Sequence, residues 1–319
     1  MSIWKLRLSM LGSLALIIGL STSFFAVVLS ILGANLLVIG IFVVAVNFIQ
    51  WLIAPYIIDA LYRVREIPEN ENPRLHEVIE NLSRKSGIKK PRVMLAQIPI
   101  PNAFAYGSPI AGNRVAVTSG LMKTLDFEEV EAVIGHEIGH LKHRDVQIMM
   151  FASLLPAILY YIGYSLIISS TFRRNQRDSG GGGIAILGIA MYAFAMFINL
   201  VCVTLLSRTR EYYADRHSVS IVEDGSRKLS EALAKIVHNT RNMGRIRKET
   251  QHFNAFKALF IADPDRTDAD SMALSAISSD QKLVREILSR EITTAEKVAE
   301  IFSTHPNIVK RLKALQELS

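Results

Sequence analysis

Apolar positions along the chain are gathered into four long runs. Leu8 to Leu32 and Leu36 to Ile58 carry no charge, and each is long enough to cross a hydrocarbon core of ~30 Å as a helix. Only Gly33-Ala34-Asn35, a tight polar turn, separates them. A second pair runs from Val146 to Ser170 and from Ile184 to Ser207. Between them lies a loop with Arg173, Arg174, Arg177 and the run Gly180 to Gly183, expected to be flexible and solvent-facing. The pattern predicts four transmembrane helices in two hairpins.

Elsewhere the periodicity is shorter. After Asn72-Pro73, the residues Leu75, Val78, Ile79 and Leu82 recur at helical spacing and stop at Gly87. Arg92 to Ala96 and Arg114 to Thr118 are alternating and β-branched, which predicts a small sheet; a stretch with Pro and Gly, Pro99 to Gly112, separates them. Asp126 to Asp145 reads as an amphipathic helix with Asp126 at its N-cap and Glu128 and Glu129 in its first turn. Further helices are expected from Thr209 to Val222, Ser226 to Asn239, Ser279 to Leu288, Ala295 to Phe302 and Asn307 to Leu318. Gly244 to Ser275 has weaker periodicity.

These elements predict an α+β protein, mostly helical, in four parts: a transmembrane hairpin at 1–60, a soluble piece at 61–145, a second hairpin at 146–207 and a second soluble piece at 208–319. The two soluble pieces are expected to build one catalytic domain. Composition agrees with a membrane protein, since 50% of the 319 residues are hydrophobic. The first run is too long for a cleaved signal peptide and reads as a retained anchor. Lys5, Arg7, Arg63 and Arg65 flank the first hairpin and put both of its ends, with the soluble pieces, on the cytoplasmic side of the cell membrane. The arginines between the third and fourth runs oppose that orientation.

The net charge of +7 comes without an aromatic-interleaved basic stripe, so no nucleic-acid partner is expected; attraction to anionic lipid accounts for it. The single cysteine, Cys202, excludes an internal disulfide and a thiolate metal cluster.

The chemistry concentrates in His136-Glu137-Ile138-Gly139-His140. On a helix both imidazoles leave the same side one turn apart, the spacing one zinc ion needs, while Glu137 points toward the open coordination position. A catalytic zinc takes a third protein ligand, and Glu211, opening the stretch Glu211-Tyr212-Tyr213-Ala214-Asp215, is the candidate. Asp215, one turn on, can accept the distal N–H of a ligand imidazole and fix its tautomer; a surface pair with Arg208 or Arg216 is the alternative. Glu137 would act as general base and then general acid. His305, Arg311 and Tyr212 are candidates for stabilising the negative oxygen of the tetrahedral state. His143 would close the coordination shell as a fourth ligand, and a surface or supporting role suits it better.

The chain resembles the HtpX-type membrane-bound zinc metalloproteases, relatives of the CAAX prenyl endopeptidases, over nearly its whole length. The likeness rests on His136 to His140 with Arg144-Asp145, Glu211 to Asp215, Asn102-Ala103-Phe104-Ala105, and Ser303-Thr304-His305-Pro306 through Arg311. It implies a gluzincin-type endopeptidase with one Zn2+ per chain, acting in stress response and quality control on protein substrates in or at the membrane. It also implies that Asn102 to Ala105 pairs with an extended substrate and that His305 stabilises the oxyanion. Prenyl-protein or dedicated processing peptidases share this chemistry, and a homo-oligomer is compatible with the sequence. A membrane scaffold with structural zinc is the reading from another class, and the presence of Glu137 opposes it.

Overall fold

The computed structural model describes residues 36–145, 159–160, 162–170, 181–198, 204–242, 280–301, 303 and 305–318. The chain divides into two units, Met1–Trp51 with Gln147–Leu205, and Leu52–Val146 with Leu206–Ser319.

Helix α1, Leu36–Tyr62, contains an apolar stretch, Gly40–Ala60, that among the described residues is the one long and apolar enough to cross a membrane. The first expected span, Leu8 to Leu32, lies outside the described residues, as do most of the third and the loop at 171–180. In the first unit, residues 162–170 are helical and pack against the helix Gly181–Ile198. A Cβ added at Gly163 would stand 2.8 Å from the Gly188 carbonyl oxygen, so the two glycines let these backbones meet. The expected glycine loop is thus partly helical, because Gly181 to Gly183 form the first turn of that helix. Its apolar part among the described residues, Gly183–Phe197, is shorter than a span, and residues 199–203 of the fourth expected span lie outside the described residues.

The second unit is built on a four-stranded mixed sheet. β1 (Val64–Glu66), β2 (Arg92–Ala96), β3 (Ala103–Ser108) and β4 (Gly112–Thr118) stand in the order β1-β2-β4-β3. β2 and β4 are parallel, with Arg92 opposite Arg114; β3 returns antiparallel, with Ala103 opposite Val117 and Ser108 opposite Gly112. β3 lies inside the stretch that periodicity reads as separating two strands, and it includes Ala103 to Ala105, for which the family resemblance implies an edge pairing with substrate. Its Ala- and Gly-containing sequence has weak strand propensity, and its pairing with β4 supplies what propensity does not.

Period-two alternation sorts the sheet residues between two cores. Val93, Ala103 and Val117 face a helical core, while Met94, Ala96, Phe104, Tyr106 and Ala116 pack on Ile58 and Tyr62 from the end of α1. The same end of α1 is tied to the sheet by polar contacts. Tyr106 Oη donates to Asp59 Oδ1 at 2.6 Å, the Arg114 guanidinium pairs with Asp59, and Ser108 Oγ donates to the Leu52 carbonyl at 2.9 Å.

On the other face, α2 (Pro73–Ser86) begins at Asn72, whose side chain accepts the Leu75 N–H, and ends at Gly87 with φ +66°. After the short helix α3 (Ser119–Thr124), α4 (Phe127–Lys142) starts where Glu129 Oε2 accepts the Asp126 N–H at 2.8 Å. Its expected continuation to Asp145 does not occur. The helix ends at Lys142, and Arg144 takes a left-handed conformation with φ +55°.

With the first unit's Gly181–Ile198 counted as α5, the helices that follow it among the described residues are α6 (Thr204–Ile221), α7 (Gly225–Asn242), α8 (Asp280–Ser289), α9 (Thr294–Ile301) and α10 (Ile308–Gln316). Lys235 of α7 joins three acidic groups, within 3.0 Å of Asp126, Glu129 and Asp280.

Gly135 and Gly139, four residues apart on α4, form the face on which α6 lies. A Cβ at Gly139 would meet the Ala214 backbone at 3.0 Å, one at Gly135 would meet Ser218 Oγ at 2.9 Å, and Ser218 Oγ donates to the Ala132 carbonyl at 2.6 Å. The close approach sets the distance between the two helices that carry the motif residues. Gly139→Val should force α6 outward and cost about 1–3 kcal/mol, as overpacking does. Thermal unfolding together with metal analysis of the purified variant checks it, with a lowered midpoint and reduced metal content expected.

Candidate metal centre

His136 and His140 sit one turn apart on α4, and Glu211 reaches them from α6, with all three buried or nearly so. His136 Nε2 and His140 Nε2 are 3.1 Å apart. Glu211 Oε1 is 3.5 Å from His140 Nε2, and its Oε2 is 3.7 Å from His136 Nε2. Ligand atoms about 2.0–2.1 Å from a common tetrahedral centre stand roughly 3.3–3.4 Å from one another. The observed separations bracket that value.

Which ring nitrogen carries the proton is set on the far side of each imidazole. His136 Nδ1 lies 2.8 Å from Asp215 Oδ1, and His140 Nδ1 lies 2.6 Å from Asp145 Oδ2. A carboxylate accepts, so His140 Nδ1 is the donor to Asp145, and Asp215 beside His136 Nδ1 favours the same tautomer there; in the neutral rings both Nε2 atoms then present lone pairs. Two facing lone pairs and a carboxylate repel one another in a buried site unless a cation lies among them. The donor set therefore fits a metal ion, and its N/N/O chemistry fits zinc.

The charge balance agrees. Glu137, Glu211, Asp215 and Asp145 are all buried. Arg311 grips Asp215 through Nε at 2.9 Å and Nη2 at 2.6 Å and places Nη1 3.2 Å from Glu211 Oε2; Arg210 Nε is 3.1 Å from Asp145 Oδ1. With all four carboxylates ionised, two guanidiniums leave two negative charges, the charge of one divalent ion. Burial opposes ionisation of Glu211, but His305, Arg311, His140 and His136, the imidazoles when protonated, outweigh it and hold its carboxyl below the usual range. Asp215 is likewise desolvated, yet Arg311 and His136 keep it well below that range.

Glu137 differs. Burial pushes its carboxyl up, offset only in part by His140 and His136, and the Ala105 backbone N–H on β3 donates to it. A buried carboxyl beside the candidate ion is suited to exchange a proton.

The other candidate residues occupy defined places. His305 is buried with Nε2 3.7 Å from Glu211 Oε1, and Ser303 Oγ accepts its backbone N–H at 3.2 Å. Arg311 is buried with its guanidinium turned to Asp215 and Glu211. Tyr212 is half-buried, and burial and the nearby Glu300 raise its pKa. Asn102 is buried, with its backbone N–H on Thr118 Oγ1 and its carbonyl on the Thr118 N–H, both at 2.9 Å. Ala103 and Phe104 are buried strand residues, and Ala105 is partly exposed on the edge strand. His143 is exposed and packs edge-on against the His217 ring, whose Nε2 lies 2.8 Å from Ser86 Oγ.

Sequence reasoning gave no role to two of these residues. Asp145 carries a signal only as part of the Arg144-Asp145 pair, and in an unbroken helix it would point away from His140; the turn at Arg144 swings it back. Arg210 carried no signal at all, since its partner Asp145 is 65 positions away.

Residues 69–319 match Peptidase family M48. A "Protease HtpX homolog" from Thermoplasma acidophilum is 36% identical over 100% of this chain and 99% of its own length. Another, from Methanothermobacter thermautotrophicus, is 41% identical over 78% of this chain and 93% of its own. Among solved structures, S. mikatae Ste24p aligns with a TM-score of 0.59 at 16% identity, covering 98% of this chain and 66% of that one, a likeness of fold.

Two substitutions test the centre. Asp145→Asn keeps the shape but weakens the hold on the His140 N–H, and metal affinity should fall about 10–100-fold in chelator competition. Glu211→Ala should reduce metal occupancy in elemental analysis, whereas normal content would point to another third ligand.

Proposed function

The chain belongs to peptidase family M48 and is a metalloendopeptidase, and we propose that it is a multi-pass cell-membrane enzyme that uses one zinc ion per chain to hydrolyse peptide bonds of membrane or membrane-associated proteins. The observation that carries this reading is the convergence of His136 Nε2, His140 Nε2 and Glu211 within 3.7 Å of one another, beside a buried Glu137.

His136, His140 and Glu211 hold the ion, and Asp215 and Asp145 keep each ring turned and its lone pair aimed inward. When bound, the ion supplies Lewis acidity and lowers the pKa of water from about 15.7 toward ~7. Glu137 takes the proton of the attacking water on its carboxylate and then delivers it to the leaving amine nitrogen. The Ala105 N–H holds that carboxylate in place, and its burial-raised pKa makes it a stronger acceptor of the water's proton. His305 donates to the substrate oxygen that gains charge as the carbonyl carbon is attacked. Arg311 acts indirectly, by neutralising Asp215 and Glu211, and Tyr212 lines the same region. The open side of β3 from Ala103 offers backbone groups to an extended substrate, an edge-strand mode of binding.

The four apolar runs are read as spans, with residues 61–145 and 208–319 forming one cytoplasmic catalytic domain and the relatives' HtpX name suggesting protein quality control. A prenyl-protein peptidase is not favoured, since the sequence relatives are HtpX homologues and the likeness to Ste24p is one of fold.

Glu137→Gln should abolish cleavage of a casein-type or membrane-protein substrate, a loss of at least about 10²-fold, while zinc content stays near wild type. Surviving activity would show that another group is the base. Chelation of the wild type should remove activity, and added zinc should restore it.

A further inference from the structure

The turn between β3 and β4 has no task in the peptidase chemistry. It is a three-residue loop, Pro109-Ile110-Ala111, closed by Gly112 at φ +70°, and the Ala111 N–H donates to Ser108 Oγ at 3.1 Å. At its tip Ile110 is 67% exposed. No charged residue occurs from Gly107 to Asn113, seven consecutive positions in a chain where 20% are charged.

The hairpin has a fixed place along α1. Near its base Tyr106 and Arg114 engage Asp59, which lies next to the end of the apolar stretch Gly40–Ala60. Farther out, Ser108 Oγ holds the Leu52 carbonyl. Leu52 is seven residues before Asp59, about 10 Å along the helix axis. The hairpin therefore runs beside the last part of α1, from Asp59 to Leu52, and its turn follows directly on Ser108. Exposed Ile53, Tyr56 and Ile57 cover the same length of α1. The one cation of the hairpin, Arg114, is buried and neutralised by Asp59, so no free charge resists transfer out of water.

We propose that the β3–β4 turn inserts into the phospholipid bilayer, with Ile110 at the boundary between headgroups and acyl chains and the Asp59–Arg114–Tyr106 cluster at the water-facing level above it. Ile53, Tyr56 and Ile57, exposed at the end of a helix long enough to span the membrane, belong to the same unit as this exposed, uncharged turn, and the hairpin is tied to that end of the helix through Ser108, which is why lipid rather than a protein partner is its occupant. The inference rests on the membrane-anchoring part of the proposed function and not on the zinc chemistry.

Site-directed fluorescence tests it on the full chain. In a Cys202→Ser background, single Ile110→Cys, Ile53→Cys and Glu69→Cys variants carry a nitrobenzoxadiazole label and are reconstituted in phosphatidylcholine–phosphatidylglycerol vesicles, with or without brominated acyl chains. Glu69, with its side chain 72% exposed on the same unit, is the aqueous reference. Brominated lipid should quench the labels at 110 and 53 at least about twofold more than the label at 69, and iodide should do the reverse. A label at 110 as open to iodide as that at 69, with 53 lipid-quenched, overturns the inserted turn alone. Shielding of 110 from both quenchers means that protein covers it, which also overturns the proposal. Iodide access at 53 overturns the membrane-anchoring reading together with it.

Discussion

Two imidazole nitrogens face each other 3.1 Å apart, and each ring has its proton held on the opposite side by a carboxylate. This opposition is the constraint on which the rest of the second unit depends. With the lone pairs fixed inward and Glu211 beside them, the centre is repulsive unless a cation fills it. Asp215 and Asp145 require neutralisation of their own, so Arg311 and Arg210 are drawn in behind them. A buried arrangement of this kind is costly when a partner is missing, because an unpaired charge is left in a poorly solvated site.

Close packing makes the arrangement reachable. Gly135 and Gly139 let α6 approach α4 until a Cβ would collide with its backbone, and only that approach brings Glu211 within range of both histidines. At the other end of α4 a left-handed Arg144 breaks the helix, a conformation that costs roughly 1–2 kcal/mol for a non-glycine residue. The hydrogen bond from His140 to Asp145, gained by that break, offsets the strain. Helix termination and second-carboxylate placement are thus one event.

The sheet serves the centre from the opposite side. Its edge strand β3 directs the Ala105 N–H at Glu137, and its far end is anchored to α1 through Tyr106, Arg114 and Ser108. One strand therefore joins the Glu137 carboxyl to the helix long and apolar enough to cross a membrane.

Much of this was legible without coordinates. The caps at Asn72 and Asp126, the stop at Gly87, the helices after Glu211 and the one-turn spacing of His136 and His140 all follow from short-range periodicity and local chemistry, which neighbouring residues carry. Glu211 stood out through its own motif. What the sequence did not reveal depends on groups distant in the chain: the pairing of β3 with β4, which overrides weak propensity; the partners of Arg311, a candidate by its motif that turns out to face Asp215 and Glu211; and Arg210, which completes the hold on Asp145. Asp145 itself was hidden because helical periodicity extrapolates through a break that only tertiary packing imposes. Local sequence determined which side chains could bind an ion, and the tertiary structure decided which carboxylate holds which ring, because burial and charge balance are properties of the assembled fold.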